Sequence, residues 1–499
     1  MEFKSYVSEM PWEDEHLTPP RAYLRVVKRF GRTFNFCLES IFDEKSTSLA
    51  KRFSRLSIIC CEPLLTIKSK GKECELGGKK EIVEELRAKL KGKFKMRGER
   101  FVLGANEDPL YFLKTIIGEI HAETGVSRFS FGPIGYASYD MVRFFEKIPD
   151  VAPDKLGVPE MYFVLHRNAV IFDHSSKRLH FVTHVINGEK SGLDELMEAV
   201  VKGEEEKLEN KKVSEEVESN TNESEFGEMI EKAREYIRAG DVFQVVLSRR
   251  IRVKTGRDPI SIYFSLREVN PSPYMFYLDY GEFQLFGASP EVQARVEGSK
   301  IEMRPIAGTR GRGKTEEEER EISKELLEDE KERAEHTMLV DLCRNDVGRV
   351  AKFGSVRVPE LFLIEKYSHV QHIVSHVIGT LAEGKDSFDA FRATFPAGTV
   401  SGAPKVRAME IIEELEKEKR GPYAGVVGYF DLKGNMDVCI TIRSIIMKGS
   451  DAYVQVGAGI VLDSSPKGEW IETNRKANGS IKAILGKELE MANLEKRKL

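Results

Sequence analysis

The chain has 499 residues, 41% hydrophobic and 32% charged, with a net charge of −4 at pH 7 and a pI near 6.3. That length supports a sizeable core, and the near-neutral balance excludes a general attraction to nucleic acid or anionic membrane. No apolar run reaches the roughly 18 residues of a membrane span, and Met1-Glu2-Phe3-Lys4 opens no signal peptide, so a cytoplasmic protein is expected.

In chain order, residues 82–90 and 111–123 carry helical periodicity, and 162–165, 169–172 and 179–183 read as successive strands of one sheet. Residues 1–201 thus form an N-terminal region of mixed strand and helix. Residues 202–225 are charged and nearly free of large apolar side chains, which predicts a solvated helix or linker. In the second region, 226–499, a helix is expected over 226–239, stopped by Gly240. A strand follows over 242–248, and 275–278, 284–287, 293–296 and 301–303 continue a sheet. Residues 316–344 read as one long helix. Strands are expected at 424–430, 438–446 and 452–461, then a last helix with Ser465 as cap and Pro466 in its first position. Strands and helices do not alternate strictly, and no repeat is visible. The pattern predicts an α+β fold with large antiparallel sheets rather than a parallel barrel. The six cysteines show neither a Cys-x-x-Cys pair nor zinc spacing, which predicts reduced, buried thiols.

Three motifs carry chemistry. Residues 395–405, FPAGTVSGAPK, place a Gly/Ser/Thr loop before a helical pattern. Such a loop offers backbone donors to an anion, with Pro404 expected in the helix's first turn. Residues 308–315, GTRGRGKT, spell the phosphate-loop pattern. That pattern needs a buried strand before it. Here Pro305 interrupts the strand, and Glu316 to Glu319 would repel a triphosphate, so nucleotide hydrolysis is rejected. Glu332 and Glu335, and likewise Glu469 and Glu472, are spaced i, i+3 and share a helix face. Two such faces turned together would suit Mg²⁺. Surface ion pairs with Arg333, Arg475 and Lys476 are the alternative.

These pieces together resemble the chorismate-utilising enzymes, and within them anthranilate synthase component I. The resemblance rests on residues 240–248 (GDVFQVVLS), 287–291 (GASPE), 304–309 (RPIAGT), 335–346 (EHTMLVDLCRND), the 395–405 loop, 441–443 (TIR), 457–461 (GAGIV) and 469–476, in the family's order. It implies a layered antiparallel sandwich flanked by helices. It implies Glu335 and Glu472 as direct Mg²⁺ ligands, with Glu332 and Glu469 holding metal-bound waters. Tyr423, Arg443 and the backbone of Gly459 would grip the enolpyruvyl carboxylate, Gly457 and Ala458 would also bind substrate, and Thr399 and Lys476 would be substrate- and metal-side contacts. Glu291 would be the general acid that protonates the departing 4-hydroxyl, and His372 would assist loss of pyruvate.

Two positions separate the relatives. Gln244 stands where water-using members carry a lysine base; an amide cannot activate water that way but can hydrogen-bond ammonia. Ala307 stands where aminodeoxychorismate synthases carry a lysine. The resemblance therefore implies a carbon–oxygen lyase making anthranilate and pyruvate, the first committed step toward tryptophan, with aminodeoxychorismate synthase component I as the alternative. The cysteines lack a Gly-x-Cys-x-Gly elbow, so a separate glutamine amidotransferase subunit is implied, in a heterotetramer. Leu38, Glu39 and Ser40 resemble one wall of a tryptophan feedback site. Asn270, Pro271, Pro273, Tyr274 and Met275 resemble a second wall, with Cys439 a neighbour. Glu39 is expected to accept the inhibitor's ammonium.

Overall fold

The computed structural model describes residues 1–41, 56–122, 132–186, 188–211, 216–366 and 370–486. Its ladders are almost all antiparallel, with helices against the sheet faces, the α+β architecture that the mixed order of elements predicts. The central strand Gln244–Lys254 pairs with Asp451–Ile460, with Val246 opposite Gly459 and Leu247 opposite Ala458. Its first residues also pair with Gly402–Ala403, the end of the glycine-rich loop.

Strand alternation sets what each face buries. Val245 and Leu247 enter a core with Met409, Ile412 and Trp470. Farther along, Ile251 and Val253 enter a second core with Leu266, Ala477, Ile481 and Ile484. The helix Glu223–Arg238 starts with a reciprocal capping box between Asn222 and Glu225. The helix Pro466–Leu485 starts as expected, with Ser465 accepting from the Gly468 N–H and Pro466 in its first turn.

The charged segment 202–225 acquires regular structure before its end. Glu216–Ser219 pairs with Gln244–Lys254, because Val217 is drawn into the second core, and the next helix begins at Glu223. Residues 212–215 lie outside the described residues. Strands from early and late in the chain also share ladders directly. Phe36–Glu39 pairs with Tyr274–Asp279, and Ile134–Ala137 pairs with Val426–Phe430.

Four expectations need correction. Residues 316–344 form two helices, Glu316–Glu328 and Glu330–Gly348. Asp329 leaves helical geometry (ψ 110°) and accepts from the Lys331 and Glu332 N–H groups, so a capping side chain splits the run. The strand expected at 438–446 is two, Met436–Ile440 and Ser444–Lys448, with Arg443 at φ +50° between them. The helix expected over 111–123 spans Pro109–Gly118, and Glu123 lies outside the described residues. Pro404 is the cap before the helix Lys405–Leu415 rather than its first residue.

The phosphate-loop lookalike belongs to the strand Ile306–Gly311 and the turn after it. Three of its donors are taken: the Gly313 N–H and Arg312 Nε donate to Glu319, and the Lys314 N–H to Glu318. All six cysteines are free, five of them buried.

Candidate active site

The glycine-rich loop packs Thr399 against Glu291. Thr399 Oγ1 donates to Glu291 Oε1 at 2.8 Å, and a small cavity beside the pair is lined by Arg304, Leu342, Cys343 and Gly398. Gly398 lets the loop lie close to the Leu342 side chain, whose Cδ1 would stand 2.7 Å from a Cβ there. Burial pushes the Glu291 carboxyl up to about 8, against the opposing pull of Thr399, the Ile306 N–H, Arg443 and Arg304. Glu291 is therefore protonated at neutral pH, the state a general acid needs.

His372 lies across the ladder from Thr309. Its Nδ1 is 2.9 Å from the Gly308 carbonyl and 3.0 Å from Thr309 Oγ1. A carbonyl only accepts, so Nδ1 carries the hydrogen and the lone pair sits on Nε2. Burial holds the imidazole down at about 4, so it is neutral at physiological pH. The Arg443 charge acts on both His372 and Glu291, placing the three groups in one neighbourhood.

The facing wall is the Gln244–Lys254 and Asp451–Ile460 pair. Gln244 is 4% exposed, and its Nε2 donates to Glu335 Oε1 at 3.3 Å. The bare backbone of Gly459 makes room for that amide, and Gly457 makes room for the Tyr423 hydroxyl. Lys476 Nζ donates to the Gly457 carbonyl at 3.0 Å and pairs with Glu472 at 2.7 Å. Glycines at these two positions are what lets polar side chains lie on the strand.

The four paired carboxylates gather between two helix starts. Glu335 is raised from the ordinary value by burial and by the like charges of Glu332 and Glu472. Glu469 is raised by burial, with Glu472 also acting on it and Lys331 of the opposite helix opposing. Glu332 is engaged by Arg310 at 2.9 Å. Among the described residues no three acidic, histidine or cysteine side chains stand at metal-ligand spacing. A Mg²⁺ site needs no such cluster, since Mg²⁺ takes one or two carboxylates and completes its shell with water and ligand oxygens. A half-buried carboxylate raised by like-charged neighbours suits that cation.

A second cavity shares no lining residue with the first. Its walls contain Leu38, Glu39, Ser40, Tyr274, Met275 and Cys439, with Val427 and Asp437 among the others. Asn270, Pro271 and Pro273 do not line it, although the Ile41 N–H reaches their loop at the Ser272 carbonyl. Both Glu39 carboxylate oxygens are engaged, one by Tyr263 at 2.6 Å and the other by Arg267 at 3.1 Å. The carboxylate expected for an ammonium is thus held by the wall itself. Asp437, hydrogen-bonded by Tyr274 at 3.1 Å, and Glu297 are further acidic groups in the cavity that the sequence did not single out.

With this geometry in view, the model for chorismate binding enzymes matches residues 39–482, and the chain belongs to that family. Its resemblance to anthranilate synthase component I holds in sequence and in fold. It is 44% identical to anthranilate synthase component 1 of Acetivibrio thermocellus, over 88% of this chain and 93% of the relative. Anthranilate synthase component I of Streptococcus pneumoniae TIGR4 superposes with a TM-score of 0.73 at 36% identity, over 86% of this chain and 92% of that one. Aminodeoxychorismate synthase component 1 of Bacillus subtilis is 43% identical, over 76% of this chain and 82% of the relative.

Proposed function

We propose that the chain is a Mg²⁺-dependent lyase that converts chorismate and ammonia to anthranilate and pyruvate. The observation that carries this reading is Gln244, a buried neutral amide beside Glu335. An amide can hold ammonia, which brings its own lone pair, but cannot take a proton from water. Ala307, on the strand facing His372, offers only a methyl group where a covalent route would need an amine.

In this reading Glu335 and Glu472 would hold Mg²⁺, with Glu332 and Glu469 on the side of its waters. When bound, the cation would supply positive charge for the ring carboxylate of chorismate. Arg443, Tyr423 and the backbone at 457–459 orient the enolpyruvyl carboxylate, and Lys476 steadies the Gly457 carbonyl and Glu472. Gln244 orients ammonia toward ring carbon 2. Glu291, protonated and held by Thr399, gives its proton to the departing 4-hydroxyl, which leaves as water. Pyruvate is then eliminated, and in this reading neutral His372 accepts a proton in that step.

Ammonia comes from a separate glutaminase subunit; the relatives' designation as component 1 supports a partner. The second cavity is the tryptophan feedback site in this reading, with Glu39, Glu297 and Asp437 as its acidic groups.

The test is incubation of the purified chain with chorismate, ammonium and Mg²⁺. Anthranilate fluorescence that requires all three is expected, and none with glutamine alone. A product that gives 4-aminobenzoate once an aminodeoxychorismate lyase is added would replace this reading with the one favoured by the Bacillus relative.

A further inference from the structure

We infer that Arg420 is a positioning residue that clamps the Thr399 loop, the Gln244 strand and Tyr423 into one geometry; this rests on the reading proposed above. Its side chain is 1% exposed. Nη1 donates to the Val400 carbonyl at 2.6 Å and Nη2 to the Val246 carbonyl at 2.7 Å. Nε and Nη2 also donate to the two oxygens of Glu416, at 2.9 and 2.6 Å. The guanidinium lies over the rings of Tyr139 and Tyr423, 4.7 and 5.7 Å from their centroids. Glu416 is tied in turn to the central strand, accepting from the Ser248 N–H and Oγ at 2.8 and 2.9 Å.

Three of these partners adjoin or are groups used in the proposed chemistry. Val400 follows Thr399, which holds Glu291. Val246 lies two residues beyond Gln244 on the same strand. Tyr423 is itself a substrate contact. A buried ion pair of this kind is weak evidence for stability, because well-packed apolar residues of similar volume do as well. What they cannot do is hold two carbonyls and a carboxylate in fixed relation. That takes the planar fork of arginine, and lysine has no equivalent.

The consequence reaches Glu291 through Thr399. The groups bearing on that carboxyl are Thr399 from the loop, the Ile306 N–H, Arg304, Arg443 and Cys343. Of these only Thr399 sits on the segment that Arg420 holds. The Thr399 hydroxyl favours the ionised carboxylate, so a loosened loop moves the Glu291 titration to higher pH.

The experiment compares wild type, the charge-balanced double variant Glu416→Gln/Arg420→Gln, and Arg420→Lys. Each is assayed for ammonia-dependent anthranilate formation across pH, with folding checked by circular dichroism. The double variant leaves no unpaired buried charge. The expected result is a folded protein with kcat/KM about 100-fold lower, the scale of a small misplacement of catalytic groups, and a basic limb displaced to higher pH. Arg420→Lys, which keeps a charge for Glu416, should show a smaller change in the same direction, and it decides the matter alone if the double variant does not fold. A merely structural Arg420 would lower thermal stability and leave kcat/KM and the basic limb at their wild-type values; that result overturns the inference. A wild-type chain that makes no anthranilate overturns the function proposed above and this inference with it.

Discussion

A Cβ placed on Gly459 would fall 2.4 Å from Gln244 Nε2. The Gln244 amide lies against bare backbone, and no larger residue leaves it there. Gly459→Ala is therefore a mutation of Gln244 by displacement. The clash is with the far end of a flexible side chain, so stability should change by less than about 1 kcal/mol, as for substitutions away from packed features. Ammonia-dependent kcat/KM should fall at least about 10-fold, the scale of one misplaced polar group of about 1.4 kcal/mol. Thermal melts and steady-state rates on one preparation check both halves. Unchanged rates would remove Gln244 from the ammonia site.

Glu291 sets the expected pH dependence. Burial raises its carboxyl to about 8 from an ordinary 4.5, and the protonated form is the one that acts. Activity in kcat/KM, which reports the free enzyme, should be full below pH 8 as far as this group is concerned and decline above it. Thr399→Val removes a hydroxyl that favours the ionised carboxylate, so the decline should move to higher pH, not lower. Glu291→Gln should abolish the decline together with most of the activity. A basic limb that stays in place in Thr399→Val would separate the titration from Glu291.

How much of this was legible in the sequence depends on the range of the interaction. Helical periodicity placed Glu332 with Glu335 and Glu469 with Glu472, and Ser465-Pro466 marked the last helix, because these are contacts within a turn or two. The break at Asp329 was not legible. One more acidic residue in a charged helix looks like its neighbours until Arg310, on a separate strand, pairs with it at 2.8 Å. Arg420 was missed for the same reason. It ends a run of charged residues that reads as solvated surface, and its burial is decided by carbonyls at Val246 and Val400. Glu39 lines the second cavity, but which groups hold its carboxylate is not a local property of the sequence. The groups that hold it, Tyr263 and Arg267, lie 224 and 228 residues away.

The second cavity makes a prediction independent of the chemistry. A ligand that binds only the folded chain stabilises it, by about 2.7 kcal/mol at a concentration 100 times Kd, so tryptophan should raise Tm in a saturable way. Val427 is 2% exposed and forms part of the cavity wall. Val427→Phe puts a ring into the space an indole would need. The tryptophan-dependent rise in Tm should disappear in this variant, and calorimetric titration should show affinity at least about 10-fold weaker, a loss of about 1.4 kcal/mol. Undiminished tryptophan binding would place the inhibitor elsewhere.

Glu335 allows the metal assignment to be tested without turnover. Its carboxylate is half-buried and lies beside the like charges of Glu332 and Glu472. In the absence of a divalent cation the ionised form therefore opposes folding. Glu335→Gln keeps the shape and the acceptor for Gln244 Nε2 while removing the charge. The variant should melt at a higher temperature than wild type in buffer containing a chelator. Adding Mg²⁺ should then raise the Tm of wild type, by linkage to binding, and leave the variant where it was. Glu472→Gln should also lose the Mg²⁺-dependent rise but gain less without metal, because that carboxylate is nearly half exposed and already paired with Lys476. Equal Mg²⁺ responses in wild type and both variants would exclude these two carboxylates as the metal's ligands.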